Sequence, residues 1–147
     1  MAFWRLYFHL IWSTYQREPM LTEAVEQQVY GTILSKAKAL GLVVHAIGGV
    51  EDHVHIVASI PPRYSIAECV RQIKGASSHY VNHQPGASRG FGWQDGYGAF
   101  TVSHSDKDAV IEYIKNQEEH HKKVSFKDEL REFLIKHGVK IDEKYLV

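Results

Sequence analysis

The order of local structure along this 147-residue sequence predicts an α+β fold: a ferredoxin-like, RRM-like antiparallel sheet with helices on one face, plus a C-terminal tyrosine-bearing helix. Three observations carry that expectation. Strand-like runs of apolar and β-branched residues recur along the chain, capping signals open long helical stretches after the first and third of them, and a short glycine-containing connection joins the second to the third. The order β-α-β-β-α-β followed by two helices is the split βαβ arrangement, in which both crossover helices share one face of the sheet.

Arg5 to Gln16 is rich in aromatic and β-branched residues and reads as the first strand. Its inner face holds Leu6, Phe8, Leu10 and Trp12, with Tyr7, His9, Ile11 and Ser13 opposite. Thr22 caps a helix running to about Leu40 and stopped by Gly41, with Val25, Val29, Ile33 and Leu40 as a partial apolar stripe. Leu42 to Gly48 is the second strand, and Gly49-Val50-Glu51-Asp52 connects it to the third, which the breakers Pro61 and Pro62 follow. Ser65-Ile66-Ala67-Glu68 is a capping box for a second helix reaching about Asn82. Residues 84–98 are glycine-rich and irregular, and Ala99 to His104 reads as the fourth strand. Ser105-Asp106-Lys107-Asp108 caps the helix that contains Ile111, Tyr113, Ile114 and Gln117, and Ser125-Phe126-Lys127-Asp128 opens a final helix to His137 before Gly138. With no repeat, low-complexity tract or linker, residues 1–147 are expected to form a single domain.

Composition leaves the function open. The single Cys69 excludes an internal disulfide and a cysteine-based zinc cage, and it fits a reducing cytoplasm. No apolar run has membrane-spanning length, and Met1-Ala2-Phe3-Trp4-Arg5 lacks signal-peptide architecture. Lys plus Arg equals Asp plus Glu, 17 each, so nucleic-acid binding would require clustered rather than bulk positive charge.

The most informative feature is Glu51-Asp52-His53-Val54-His55-Ile56-Val57. Side chains on a strand alternate, so His53, His55, Val57 and Ser59 share one face while Val54, Ile56, Ala58 and Ile60 form the core side. Both imidazoles then project together onto an open sheet face, where two neutral ring nitrogens can hold one divalent ion. For the pair alone, two surface histidines that bind nothing are the plainer explanation, and a third ligand is needed. Tyr113 and Gln117 are spaced i and i+4 on one helical face. Gln117 completes a three-ligand site with His53 and His55, and Tyr113 is placed to attack a metal-polarised phosphodiester. Taken alone, Tyr113 is also readable as a half-buried helix aromatic.

Together, Asp52-His53-Val54-His55 and Tyr113-Ile114-Lys115-Asn116-Gln117 resemble the single-tyrosine HUH transposases of small bacterial insertion sequences, the TnpA type of the IS200/IS605 group. Phe8-His9-Leu10-Ile11-Trp12-Ser13-Thr14, Ile73-Lys74-Gly75 and Trp93-Gln94-Asp95-Gly96-Tyr97 extend the resemblance over nearly the whole chain. The resemblance implies a single-stranded DNA endonuclease and strand transferase acting on hairpin ends. It implies Mg2+ or Mn2+ held by His53, His55 and Gln117, and a 5′-phosphotyrosine formed by Tyr113 with release of a 3′-hydroxyl. It also implies a homodimer with exchanged tyrosine helices. The short Ser103-His104-Ser105 connection is expected to favour donation of that helix to a neighbour.

Weaker candidates for DNA contacts are Arg63, Arg71, Lys74, His120 and Lys122, for which ordinary solvated helix faces are the competing explanation. His120, at i+7 from Tyr113, could also replace Gln117 as a ligand. Trp93 and Tyr97 could stack on a base, with core packing favoured for Trp93. His9 and His104 read as plain strand-face residues, and Cys69 as inert packing. A domesticated hairpin-DNA nuclease and a non-catalytic single-stranded nucleic-acid-binding module are the alternative functions; the module would need aromatics where this chain has histidines.

Overall fold

The computed structural model describes residues 1–87, 90–142 and 144. Strands β1 (Tyr7–Ser13), β2 (Val43–Val50), β3 (His53–Ser59) and β4 (Gly98–Val102) form one sheet in the order β2-β3-β1-β4, with every neighbouring pair antiparallel. Helices α1 (Glu23–Ala39) and α2 (Ile66–Asn82) are the two crossovers, and α3 (Lys107–Lys115), α4 (Gln117–His120) and α5 (Phe126–Lys136) follow β4. This is the expected ferredoxin-like architecture. Among the described residues no helix is long and apolar enough to cross a membrane.

Register explains how one strand serves two layers. Leu10 pairs with Ile56 and Trp12 with Val54, whereas the intervening Ile11 pairs with His55 and Ser13 with His53. The first set points into a core with Val29, Ile33 and Ala37 of α1 and Cys69, Val70, Ile73 and Val81 of α2. Each large side chain fully buried there stabilises the fold by roughly 1.5–3 kcal/mol. Thr22, Ser65 and Ser125 cap α1, α2 and α5 by accepting hydrogen bonds from the backbone N–H groups of Val25, Glu68 and Asp128. The box at Ser65 closes on one side only, because the Glu68 carboxylate turns to Arg71 and Gln72. Gly41 ends α1 at φ +81°, a conformation that a Cβ disfavours.

Four expectations need correction. β2 continues through Gly49 and Val50, so the hairpin connection shrinks to Glu51 and Asp52 and β3 begins at His53 itself. The cap before the tyrosine helix is Ser103, whose Oγ accepts from Asp106 N at 3.3 Å, and a single 3-10 turn, His104–Asp106, precedes α3. The tyrosine helix is broken at Asn116 (φ −98°, ψ 19°), so Tyr113 lies in the last turn of one segment and Gln117 begins the next. Asparagine competes poorly for helical geometry, and its N–H here is shared between the Glu112 and Tyr113 carbonyls. Finally, the histidine face is not open. The apolar stripe of α5 packs Phe126, Leu130, Phe133 and Leu134 against Ile11 and Phe100, leaving His53 and His55 0% exposed.

Candidate active site

The two-residue turn and the strand alternation set the two imidazoles side by side, with ring centroids 5.1 Å apart. Each ring is oriented through its Nδ1. His53 Nδ1 lies 2.7 Å from Asp52 Oδ1, and His55 Nδ1 lies 2.7 Å from His9 Nε2, which reaches across from β1. Both Nε2 atoms therefore face the same space beneath α3, α4 and α5.

Gln117 and Glu129 close that space. Gln117 Oε1 is 3.2 Å from His53 Nε2. Glu129 Oε1 is 2.9 Å from His55 Nε2 and 3.5 Å from His53 Nε2. The other carboxylate oxygen, Oε2, accepts the Tyr113 hydroxyl proton, and Gln117 Nε2 donates to it at 3.3 Å. His120 Nε2 and His121 Nε2 each come within 3.2 Å of Oε2 but are not aligned as hydrogen bonds.

Burial governs the electrostatics. It pushes His55 down to about 4, with Glu129 only partly opposing, and burial together with His55 pushes His9 down to about 3. Both rings are neutral near pH 7, the form in which an imidazole can ligate a metal ion. Burial also favours a neutral Glu129, yet its contacts with His121, His55 and Tyr113 outweigh this and hold the carboxyl below the usual carboxylate range. Tyr113 is raised by burial and then by Glu129, so its phenol stays protonated. Burial opposes charge on His121, but the Glu129 carboxylate raises it overall.

The donor set suits a cation. If a neutral His53 gives its one N–H to Asp52, its Nε2 lone pair faces the lone pairs of Gln117 Oε1, a pairing that a positive charge between them would relieve. Among the described residues, His53, His55, His121 and Glu129 have ligand atoms that all lie within 4.8 Å of one another.

The structure thus brings His53, His55, Gln117, Tyr113 and His120 together. It places the other candidates elsewhere. Arg63 lies over the Tyr64 ring, Arg71 pairs with Glu68 on α2 across the sheet, and Lys122 pairs with Glu119. Lys74 donates to the carbonyls of Gln94 and Gly96 and braces the loop before β4. Trp93 packs on Trp12 and Phe91 and donates to Ser77. Sequence reading passed over Glu129, took His9 for a plain strand-face residue, and gave Asp52 and His121 no part in the site. Two of these left a signal: His9 shares the histidine face of β1, and Glu129 is a carboxylate inside the apolar stripe of α5.

From outside, Tyr113 is reached through a cavity of about 470 Å³ lined by His9, Phe100, His120, Phe133, Lys136 and His137 among others. A tyrosine beside two histidines on a ferredoxin-like sheet thus lies at the foot of a cavity with aromatic, histidine and lysine walls. The family model described as "Transposase IS200 like" matches residues 2–117, and the chain belongs to that transposase family. The ISDra2 transposase TnpA of Deinococcus radiodurans is 29% identical over 119 residues, covering 78% of this chain and 85% of that protein. A crystal structure from Deinococcus radiodurans R1, assigned as a transposase, has a TM-score of 0.61 at 28% identity and covers 79% of this chain and 93% of its own. The REP-associated tyrosine transposase bound to a REP hairpin has a TM-score of 0.62 at 16% identity, over 84% of this chain and 76% of that one, a likeness in fold alone.

Proposed function

We propose that this chain is a metal-dependent single-stranded DNA endonuclease and strand transferase, a cytoplasmic transposase that recombines DNA at the hairpin ends of an insertion sequence through a 5′-phosphotyrosine on Tyr113. The observation that carries the reading is the carboxylate of Glu129, which receives the Tyr113 hydroxyl on one oxygen and faces the His53–His55 pair with the other. His53, His55 and Gln117 would hold Mg2+ or Mn2+. When bound, the ion supplies positive charge that polarises the phosphodiester and offsets charge developing on its oxygens.

The remaining chemistry belongs to the chain. His120, Lys136 and His137 along the cavity offer positive or hydrogen-bonding groups to a phosphate approaching Tyr113. Tyr113 Oη bonds to phosphorus as its proton passes to Glu129 Oε2. The bond to the 3′ oxygen breaks, and that oxygen takes up a proton from solvent water to leave as a 3′-hydroxyl. A phenolate is a competent leaving group, so the ester can be reversed onto another 3′-hydroxyl, which is strand transfer.

The proposal includes a homodimer that exchanges the tyrosine helix. Within one chain, Tyr113 already sits on its own His55, with ring centroids 5.8 Å apart. Exchange about residues 103–106 would keep the same contacts between two chains. It also takes residues 1–147 as one working domain, since α5 shares its apolar contacts with the sheet. A domesticated hairpin nuclease would use the same residues. A non-catalytic binding module is disfavoured, because the sheet face that would stack bases carries His9, His53 and His55 beneath α5.

The test is incubation with single-stranded hairpin ends and Mn2+. Wild-type protein should yield a covalent protein–DNA band, and Tyr113→Phe should yield none while still binding the DNA. An adduct mapped to Tyr97, or to Tyr145 outside the described residues, would refute the assignment.

A further inference from the structure

We propose that Glu129, delivered by α5, is the anionic ligand of the cation site, joining His53, His55 and Gln117 in a set of two nitrogens and two oxygens. The proposal rests on the reading of the histidine pair as metal ligands. It adds a residue beyond the stretch that the family model matches, which ends at residue 117.

Glu129 is 1% exposed on a helix face that otherwise carries Phe126, Leu130 and Phe133 inward. A carboxylate in such a place costs several kcal/mol unless charge or hydrogen bonds compensate it. Its surroundings are shaped for a cation. Neighbouring ligands around an octahedral ion with bonds of about 2.1 Å lie about 3 Å apart. The corresponding separations here are 2.9 Å from Glu129 Oε1 to His55 Nε2, 3.5 Å from Oε1 to His53 Nε2, and 3.2 Å from His53 Nε2 to Gln117 Oε1. Three consecutive edges of the same donor set thus have about the length that coordination requires.

Charge points the same way. Two imidazoles and an amide bring no negative charge to a divalent ion, and Glu129 brings one. Its orientation is fixed as well, because Oε2 is held by the Tyr113 hydroxyl and by Gln117 Nε2 at 3.3 Å. One carboxylate therefore ties the nucleophile to the ion.

The experiment is Mn2+ titration of the full chain by calorimetry, comparing wild type, Glu129→Gln and His53→Ala. Glutamine keeps the size and an acceptor oxygen but loses the charge. Removing even an outer partner of a metal ligand commonly costs 10–100-fold in affinity, so Glu129→Gln should weaken Mn2+ binding at least about that much. Wild-type affinity in Glu129→Gln, with binding lost in His53→Ala, would overturn the role of Glu129 and leave the histidine site standing. Tighter binding by Glu129→Gln would overturn it too, marking the carboxylate as a competitor for the site. Undiminished binding in His53→Ala, or no binding by wild type, would overturn both readings. A measurement on wild type alone guards against a variant that fails to fold: Mn2+ should slow amide hydrogen exchange in residues 126–136 as well as in β3. Protection confined to β3 would overturn the proposal.

Discussion

Asp52 and His9 contribute to the site without entering it. Each engages an Nδ1 atom and so sets which nitrogen of the neighbouring ring faces Gln117 and Glu129. Burial of His9 and His55 also ties stability to pH. In the unfolded chain these rings protonate near 6.5, whereas in the fold His55 waits until about 4 and His9 until about 3. Between those values the unfolded state binds more protons, so the stabilisation is complete above 6.5 and is lost as pH falls toward 4. The slope is about 1.4 kcal/mol per pH unit for each ring. His121, with its raised pKa, acts in the opposite sense and only above 6.5. Thermal melting of chelator-treated protein should therefore show Tm falling steadily from pH 6.5 to 4.5. A flat profile would contradict neutral burial of the two rings.

At the scale of elements, α3 can approach β2 because residue 48 has no side chain. A Cβ there would meet Ile114 O at 2.7 Å and Ile114 Cγ2 at 3.0 Å. The carbonyl belongs to the backbone of the tyrosine helix and cannot rotate aside. Gly48→Ala should push α3 off the sheet, costing about 1–3 kcal/mol by overpacking. Covalent adduct formation should fall with it, although no reacting group has changed. Urea melts and adduct yield measure the two effects, and wild-type values in both would show that α3 needs no such close approach. α5 follows a similar logic, since its aromatic contacts are what hold Glu129 in register with the histidines.

At the scale of the whole molecule, the sheet is covered on both faces, by α1 and α2 on one and by α3, α4 and α5 on the other. The short connection between β4 and the tyrosine helix sets where an exchange between two chains would hinge. Residues 103–106 turn back through one 3-10 turn and lay α3 on the chain's own sheet. Exchange is therefore a matter of assembly, and complementation tests it. Mixing inactive His53→Ala with inactive Tyr113→Phe under subunit exchange should restore cleavage, because one composite site regains both functions. No recovery despite demonstrated heterodimers would assign catalysis to the single-chain arrangement.

The sheet and its two crossover helices were legible because they rest on local rules. Alternation put His53 and His55 on one face, Thr22 and Ser65 marked helix starts, and the i, i+4 spacing of Tyr113 and Gln117 survived even the break at Asn116. What lay beyond reach depends on contacts between residues distant in the chain. Glu129 lies 74 residues from His55, and no spacing rule connects them. Whether the histidine face stayed open turned on where α5 buried its stripe, and that depended on Ile11 and Phe100 offering apolar surface among the histidines. The sequence by itself determined the architecture and the reactive residue types. The tertiary structure alone decided that those residues share one enclosed carboxylate, because burial of an apolar helix face, rather than any local signal, carried it there.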